Sequence, residues 1–322
     1  SKEQLAKNLE GIKAQVSRIF DGKAEVVNNY DWFKGYELTD FLRDVGKYVN
    51  VNYMLDKDII HRRLDTGITF AEFTYTLIQG YDFLWLYENK GCILQAEGSD
   101  QWGNITTGLD LIKKKTGHDA YAFTMPLVLD KYGNKFGKSE GNALWLDRNK
   151  TSSYELYQYL INVDDEMVIS YLKIFTFLTP DEIMELEKSN NENPHLREAH
   201  KALARAIITD LHGEEAYLEA VKISESLFNG NIKELTAHQL EDAFKGIEPF
   251  VAEEANLVDF LVQFGICSSK REAREFISNG SISVNGDKVT DLDYQVTKND
   301  SIEQKYVVIR RGKKKYFIGK FA

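Results

Sequence analysis

Residues 94–105 constrain the fold of this chain more than any other stretch. Gln95, Glu97, Ser99, Asp100, Gln101 and Asn104 crowd with Gly98 and Gly103 where a short apolar run gives way to a helical pattern. The run at 92–96 predicts a buried strand, and residues 104–115 predict a helix with Ile105, Leu109 and Ile112 on one face. A strand that enters a helix through polar residues and glycines belongs to an open α/β sheet, where ligands settle beyond the carboxyl ends of the strands. A helix start capped by Ser99 or Asp100 is the local alternative.

Two neighbouring segments favour a binding site. Residues 69–89 have a helical pattern in which Tyr75, Gln79 and Asp82, at i, i+4 and i+7, line one stripe. Apolar residues such as Phe73, Leu77, Phe83 and Trp85 occupy most other sides, so the stripe is expected to be buried and in need of partners. Downstream, Lys135-Phe136-Gly137-Lys138-Ser139 follows a strand-like run at 125–129 and a turn at 130–134. Gly-Lys-Ser suggests a P-loop, but that motif needs glycine where Tyr132 stands and must run straight into a helix. Here residues 140–143 continue as loop toward a strand-like 144–146. A basic loop that brings point charges to a polyphosphate fits better; a solvated hairpin tip would be the reading if the segment stood alone.

These segments, with residues 28–32, 41–47 and 309–316, closely resemble the bacterial tyrosyl-tRNA synthetases, in family order from about residue 25 onward. Lys135 to Ser139 looks like that family's version of the class I KMSKS loop. The resemblance implies a tyrosine–tRNA ligase, which activates L-tyrosine with ATP to tyrosyl-adenylate and transfers the tyrosyl group to tRNA(Tyr). By the same resemblance Tyr75 and Gln79 would hold the substrate α-amino group, and Asp82 would accept from its phenol. Gln95 would support the amino-acid pocket, Gln101 would face the carboxylate, and Gly98 with Asp100 would contact the ribose. Lys135, Lys138 and Ser139 would clamp the departing pyrophosphate, and Lys138 would also touch the nucleotide. No side chain need act as nucleophile or general base; positioning and charge stabilisation would suffice. Mg²⁺ would arrive with ATP, and neither a metal site of the protein's own nor a tightly bound cofactor is expected. The family is a homodimer, and residues 36–73 match its two-fold interface.

Two departures from the family pattern stand out. Glycine is usual where Glu97 stands, and a carboxylate there would repel phosphate unless turned to solvent. No His-x-Gly-His occurs, and the chain opens at Ser1 in helical sequence. The expectation is a synthetase without its amino-terminal HIGH-containing segment, impaired on its own. A non-catalytic RNA-binding protein derived from a synthetase is the alternative. A nicotinamide oxidoreductase is set aside, since no Gly-x-Gly-x-x-Gly follows a predicted strand. Tryptophanyl synthetase, the nearest class I relative, fits Asp82 and the basic carboxyl end less well.

Charge separates the two ends of the chain. Residues 255–322 hold 12 Lys+Arg against 8 Asp+Glu, net +4, which leaves −14 of the overall −10 on residues 1–254. A basic module on an acidic body suggests a polyanionic partner. In it Ser269 to Glu272 reads as a capping box, Lys270, Arg271 and Arg274 cluster on the helix that follows, and Asn285-Gly286 signals a hairpin. Arg310, Arg311, Lys313, Lys314 and Lys315 complete the expected RNA-binding set. A helix followed by a hairpin resembles the small RNA-binding domain at the end of bacterial tyrosyl synthetases.

The expected fold is therefore α/β, a partial Rossmann-like nucleotide-binding domain followed by a helical domain and a small α+β RNA-binding domain. The expected divisions are the carboxyl-side part of the catalytic domain at 1–130, the KMSKS-type loop at 131–150, a helical anticodon-stem domain at 151–228, a linker at 229–254 and the basic domain at 255–322. The aromatics of 151–228 read as core, and some mobility of the last domain is expected. Cys92 and Cys267 offer neither a disulfide framework nor zinc spacing, no run approaches a membrane span, and a reducing cytoplasm is the natural home. His195 and His200 read as surface residues rather than metal ligands.

Overall fold

Proline and glycine set the limits of the central elements. The computed structural model describes residues 1–61, 63–136, 143–312 and 315–322, and the chain divides into two units, 1–139 and 140–322. In the first unit the helix Phe70–Lys90 opens with a capping box between Thr69 and Glu72 and stops at Gly91, whose φ of 66° lies in the left-handed region. It crosses the helix Trp102–Thr116 through two glycines. A Cβ on Gly80 would come within 2.9 Å of the Thr107 methyl, and one on Gly108 within 2.9 Å of the Phe83 ring. That close approach buries Phe83, Leu84, Ile105, Leu111 and Ile112.

The strands Leu94–Gly98 and Tyr121–Met125 pair in parallel, joined by the Trp102–Thr116 helix as a crossover. The second strand lies earlier than the apolar run at 125–129 suggested. Pro126 has no N–H to donate, so the ladder stops at Met125. Leu129 instead bridges Lys135 across a turn in which Asp130 accepts from the backbone of Tyr132 and Asn134. Residues 144–146 are not a strand either; the Trp145 N–H donates to the Thr151 hydroxyl instead of a neighbouring chain.

In the second unit the helices Ser153–Ile161, Asp165–Phe175, Pro180–Glu192, Glu198–His212 and Glu214–Asn229 follow one another, with breaks at Thr179-Pro180, Asn193-Pro194 and Gly213. His200 is fully buried rather than superficial: it sits on the inner face of its helix, and its Nε2 lies 2.9 Å from the Val163 carbonyl.

The carboxyl-terminal sheet has five strands, in the order Phe250–Ala252, Lys315–Phe321, Tyr306–Arg311, Ile282–Val284 and Asp287–Lys288. Alternation along Tyr306–Arg311 sends Val307 and Ile309 into one apolar cluster with Phe260, Leu261, Ala273 and Ile277. Tyr306 and Val308 enter another with Ile223, Ile232, Leu235, Leu240 and Phe244. Residues 229–254, read from sequence as a tether holding one helix, thus form an apolar joint. The hairpin tip closes it further. Asn285 and Gly286 both have positive φ, as this turn type requires, and a Cβ on Gly286 would collide with the Gly230 carbonyl.

Candidate active site

Of the polar stripe on the helix Phe70–Lys90, Gln79 lies against the strand that follows it. Gln79 Nε2 donates to both carboxylate oxygens of Glu97, at 3.0 and 3.1 Å. Gln95 Nε2, on the same face of the strand, donates to Glu97 Oε1 at 2.5 Å. Glu97 is therefore turned onto amides and not to solvent. One turn along the helix, the Thr76 hydroxyl donates to Asn104 Oδ1 at 2.9 Å in a buried contact, and Asn104 Nδ2 donates to Gln101 Oε1 at 3.0 Å. The turn is tied to the helix by side chains, and Gln101 keeps its amide N–H groups without a partner among the described residues.

Asp82 has a separate enclosure. Trp32 Nε1 donates to its Oδ1 at 2.8 Å and Asn29 Nδ2 to its Oδ2 at 3.3 Å. Trp32 is held by stacking on Trp85, centroids 4.3 Å apart, and Trp85 sits three residues beyond Asp82 on the same helix. Burial pushes the Asp82 carboxyl above its ordinary pKa, opposed by the bonds from Trp32 and Asn29. Two amide and indole donors leave a carboxylate with lone pairs to spare. These two partners were absent from the sequence-based site. The adjacency of Asp82 and Trp85 was the only local signal, since Trp32 lies 50 residues away.

The rest of the stripe differs from expectation. Tyr75 is 55% exposed and lines an open cavity with Arg63, Ile68, Thr76 and Asn104. Asp100 pairs with Lys135 at 3.0 Å, so the turn and the base of the basic loop already meet. Gly98 belongs to this junction: a Cβ there would stand 2.9 Å from Asp100 Oδ1. Gly137, Lys138 and Ser139 lie outside the described residues, as do Lys313 and Lys314. Among the described residues no group of three His, Cys, Asp or Glu is placed to hold a metal ion.

In the carboxyl-terminal module, Ser269 caps its helix by accepting from Glu272 N, while Glu272 returns to Ser268 rather than Ser269. Arg271 and Arg274 are exposed, and Lys270 pairs with Asp259 at 2.5 Å. Arg311 is partly built into the fold; its guanidinium lies 5.7 Å from the Phe276 ring centre and 5.8 Å from that of Phe317, and it donates to the Ile266 carbonyl. Arg310 reaches Ser283 at 3.4 Å, and Lys315 is exposed opposite Arg311 in the strand register. No helix among the described residues is long and apolar enough to cross a membrane.

Comparison with known proteins gives a consistent family. The model described as tRNA synthetases class I (W and Y) matches residues 1–229, and that of the tyrosine–tRNA ligase SYY-like C-terminal domain matches residues 239–319. The tyrosine–tRNA ligase of Listeria monocytogenes serotype 4b is 53% identical over 326 residues, covering 99% of this chain and 78% of that protein. That of Streptococcus pyogenes serotype M3 is 49% identical over the same shares. A C-terminally truncated Aspergillus nidulans mitochondrial tyrosyl-tRNA synthetase superposes with a TM-score of 0.55 at 31% identity, covering 70% of this chain and 66% of that one. For the Coccidioides posadasii counterpart the values are 0.52 and 33%, over 61% and 56%. The chain thus spans less than two thirds of these two solved structures and more than two thirds of the two ligases. With both family models in sequence along it and tyrosine–tRNA ligases at about half identity over 99% of its length, this chain belongs to the class I tRNA synthetases, among the tyrosine–tRNA ligases.

Proposed function

We propose that the side chains around Gln79 and Asp82 select L-tyrosine for activation by ATP and transfer to tRNA(Tyr). One observation carries this reading: the helix Phe70–Lys90 is bonded to the strand–turn pair, with Gln79 on Glu97 and Thr76 on Asn104, which in turn donates to Gln101. Asp82, enclosed by two donors that leave acceptor capacity, takes the phenolic O–H. A pocket with a buried acceptor discriminates against phenylalanine, which would leave that acceptor unpaired. The free amide of Gln101 donates to the substrate carboxylate, Gln95 supports the pocket, and Tyr75 with Gln79 flanks the amino group.

In the reaction a tyrosine carboxylate oxygen attacks the ATP α-phosphorus, the bond to the β-phosphate oxygen breaks, and pyrophosphate leaves. A ribose hydroxyl of the tRNA end then attacks the tyrosyl carbonyl and releases AMP. Asp100, beside Gly98, holds the ribose, and Lys135 exchanges its pairing with Asp100 for the pyrophosphate, joined by Lys138 and Ser139. Mg²⁺ would arrive with the phosphates of ATP and supply charge neutralisation there.

Residues 151–228 and 255–322 face the tRNA, with Lys270, Arg271, Arg274, Arg310, Arg311 and Lys315 supplying positive charge beside Lys313 and Lys314. Such binding weakens steeply with salt. A homodimer through residues 36–73 is supported by exposed Leu38, Leu42, Val51 and Phe70 there. The two cysteines are unpaired thiols, in keeping with a reducing cytoplasm. Equilibrium dialysis with L-tyrosine and L-phenylalanine tests the central reading. Tyrosine is retained and phenylalanine is not; equal retention, or none of either, overturns it.

A further inference from the structure

Glu97 is a half-buried carboxylate with no cation paired to it among the described residues. It shares the inner face of the strand Leu94–Gly98 with Gln95, while Leu94 and Ala96 point outward and are exposed. Its contacts are the amides of Gln79 and Gln95, both neutral. No Lys, Arg or His reaches it in an ion pair among the described residues. Amide bonds offset part of the cost of withdrawing a carboxylate from water but leave its charge uncompensated.

A second feature lies next to it. Because Gln95 turns its Nε2 toward Glu97, its Oε1 is left buried and accepts from nothing among the described residues. Buried acceptors without partners are uncommon and ask for a ligand. An uncompensated carboxylate and an orphan carbonyl oxygen, side by side on one strand face, form an acceptor-only cluster. It repels a carboxylate or phosphate and suits an ammonium, which brings one positive charge and three donors.

We infer that Glu97 is a specificity-determining residue that reads the α-ammonium of the amino-acid substrate, with Gln95 Oε1 as its second acceptor. The inference rests on the reading above that the amino acid lies against Gln79, and deepens it. Charge recognition moves from the phenol and amide of Tyr75 and Gln79 to a full carboxylate on the facing strand.

The test is calorimetric titration of the full chain, and of Glu97→Gln, with L-tyrosine and with 3-(4-hydroxyphenyl)propionate, which keeps the phenol and carboxylate but lacks the amino group. The unaltered chain prefers tyrosine. In Glu97→Gln the Kd for tyrosine rises about ten- to a hundredfold, as expected for loss of a charge-assisted bond, while that for the analogue does not rise. A role confined to holding the strand in place would weaken both ligands together, and that parallel loss overturns the inference, as does unchanged tyrosine affinity. Glu97→Gly, which removes the carboxylate without substituting an amide, guards against a misfolded first variant. Persistence of the full preference for tyrosine in either variant that folds, judged by circular dichroism, also overturns it. If the unaltered chain binds no tyrosine, the tyrosine reading itself fails and takes this inference with it; if it binds tyrosine and only the Glu97 outcomes fail, the tyrosine reading stands.

Discussion

The two units keep their shape by different means. In residues 140–322 the strand Tyr306–Arg311 of a five-stranded sheet is buried on both faces, and Val307, Val308 and Ile309 are almost wholly withdrawn from water between two apolar clusters. In residues 1–139 the helix Lys2–Ile19 buries no residue, and the parallel strand pair leaves Leu94, Tyr121, Phe123 and Met125 about half exposed on its outer face. Beside its apolar helix crossing, that unit ties the strand and turn to the helix through polar side chains bonded to one another: Gln79 to Glu97, Trp32 and Asn29 to Asp82, Thr76 through Asn104 to Gln101. Apolar burial is insensitive to small displacements, whereas hydrogen bonds demand direction. The unit that must orient a ligand is the one that depends on direction.

The largest effect that would break this contrast belongs to the buried sheet. Ile309→Ala removes atoms from the centre of an apolar cluster and costs about 2–5 kcal/mol, read as a lower urea midpoint for the carboxyl-terminal unit. A loss below about 0.5 kcal/mol would remove the distinction. Next comes Gly108→Val, which forces side-chain atoms into the Phe83 ring at the helix crossing. It costs about 1–3 kcal/mol and displaces the helix that carries Gln79 and Asp82, so tyrosine binding falls with stability. Unchanged binding would show that the crossing does not position the site.

Thr69→Ala removes the N-cap of that helix and costs about 1 kcal/mol in chemical denaturation. The partner group in the box has a pH signature. The Thr69 backbone and hydroxyl and the Arg63 guanidinium hold Glu72 down to about 2, from 4.5. Its contribution is complete above 4.5, the unfolded value, and is lost as pH falls through about 2; Glu72→Gln flattens that part of the stability profile.

Asp82 has the opposite sign. Burial raises its pKa, so its ionisation subtracts stability as pH rises from 3.8 through the raised value, and that cost is absent below 3.8. Tyrosine affinity runs the other way, falling on acidification at a higher pH than an ordinary aspartate would show. Asp82→Asn removes both dependences, which titration in buffers spanning that range would reveal. The smallest effect is Leu94→Ala, on the exposed strand face, within about 0.5 kcal/mol by the same denaturation assay. A larger loss would mean that this face is covered.

Local chemistry made several elements readable. Thr69 with Glu72, Thr179-Pro180 and Asn285-Gly286 each carry their instruction within four residues and form a cap, a helix start and a turn, the last of them the hairpin that Asn-Gly signalled. The strand at 121–125 was misplaced because an apolar run hid the effect of Pro126 on the ladder. His200 was misplaced because its burial depends on a carbonyl 37 residues away. The site divides in the same way. The helix stripe and the turn after it could be read in the sequence; the pairing of Gln79 with Glu97, the exposure of Tyr75 and the enclosure of Asp82 by Trp32 could not.

By itself, then, the sequence determined most of the helices and turns and which polar residues lie on one stripe, since these follow from short-range periodicity and caps, while the family came from the resemblance of its motifs. Only the tertiary structure decided what each polar group faces. Glu97 turns to amides because the strand bearing it lies within reach of Gln79 on the helix, and Lys135 rests on Asp100 because a tight turn folds it back. A carboxylate has the same formula in either setting; its neighbours, brought from distant parts of the chain, fix the charge it can balance and therefore the ligand it can hold.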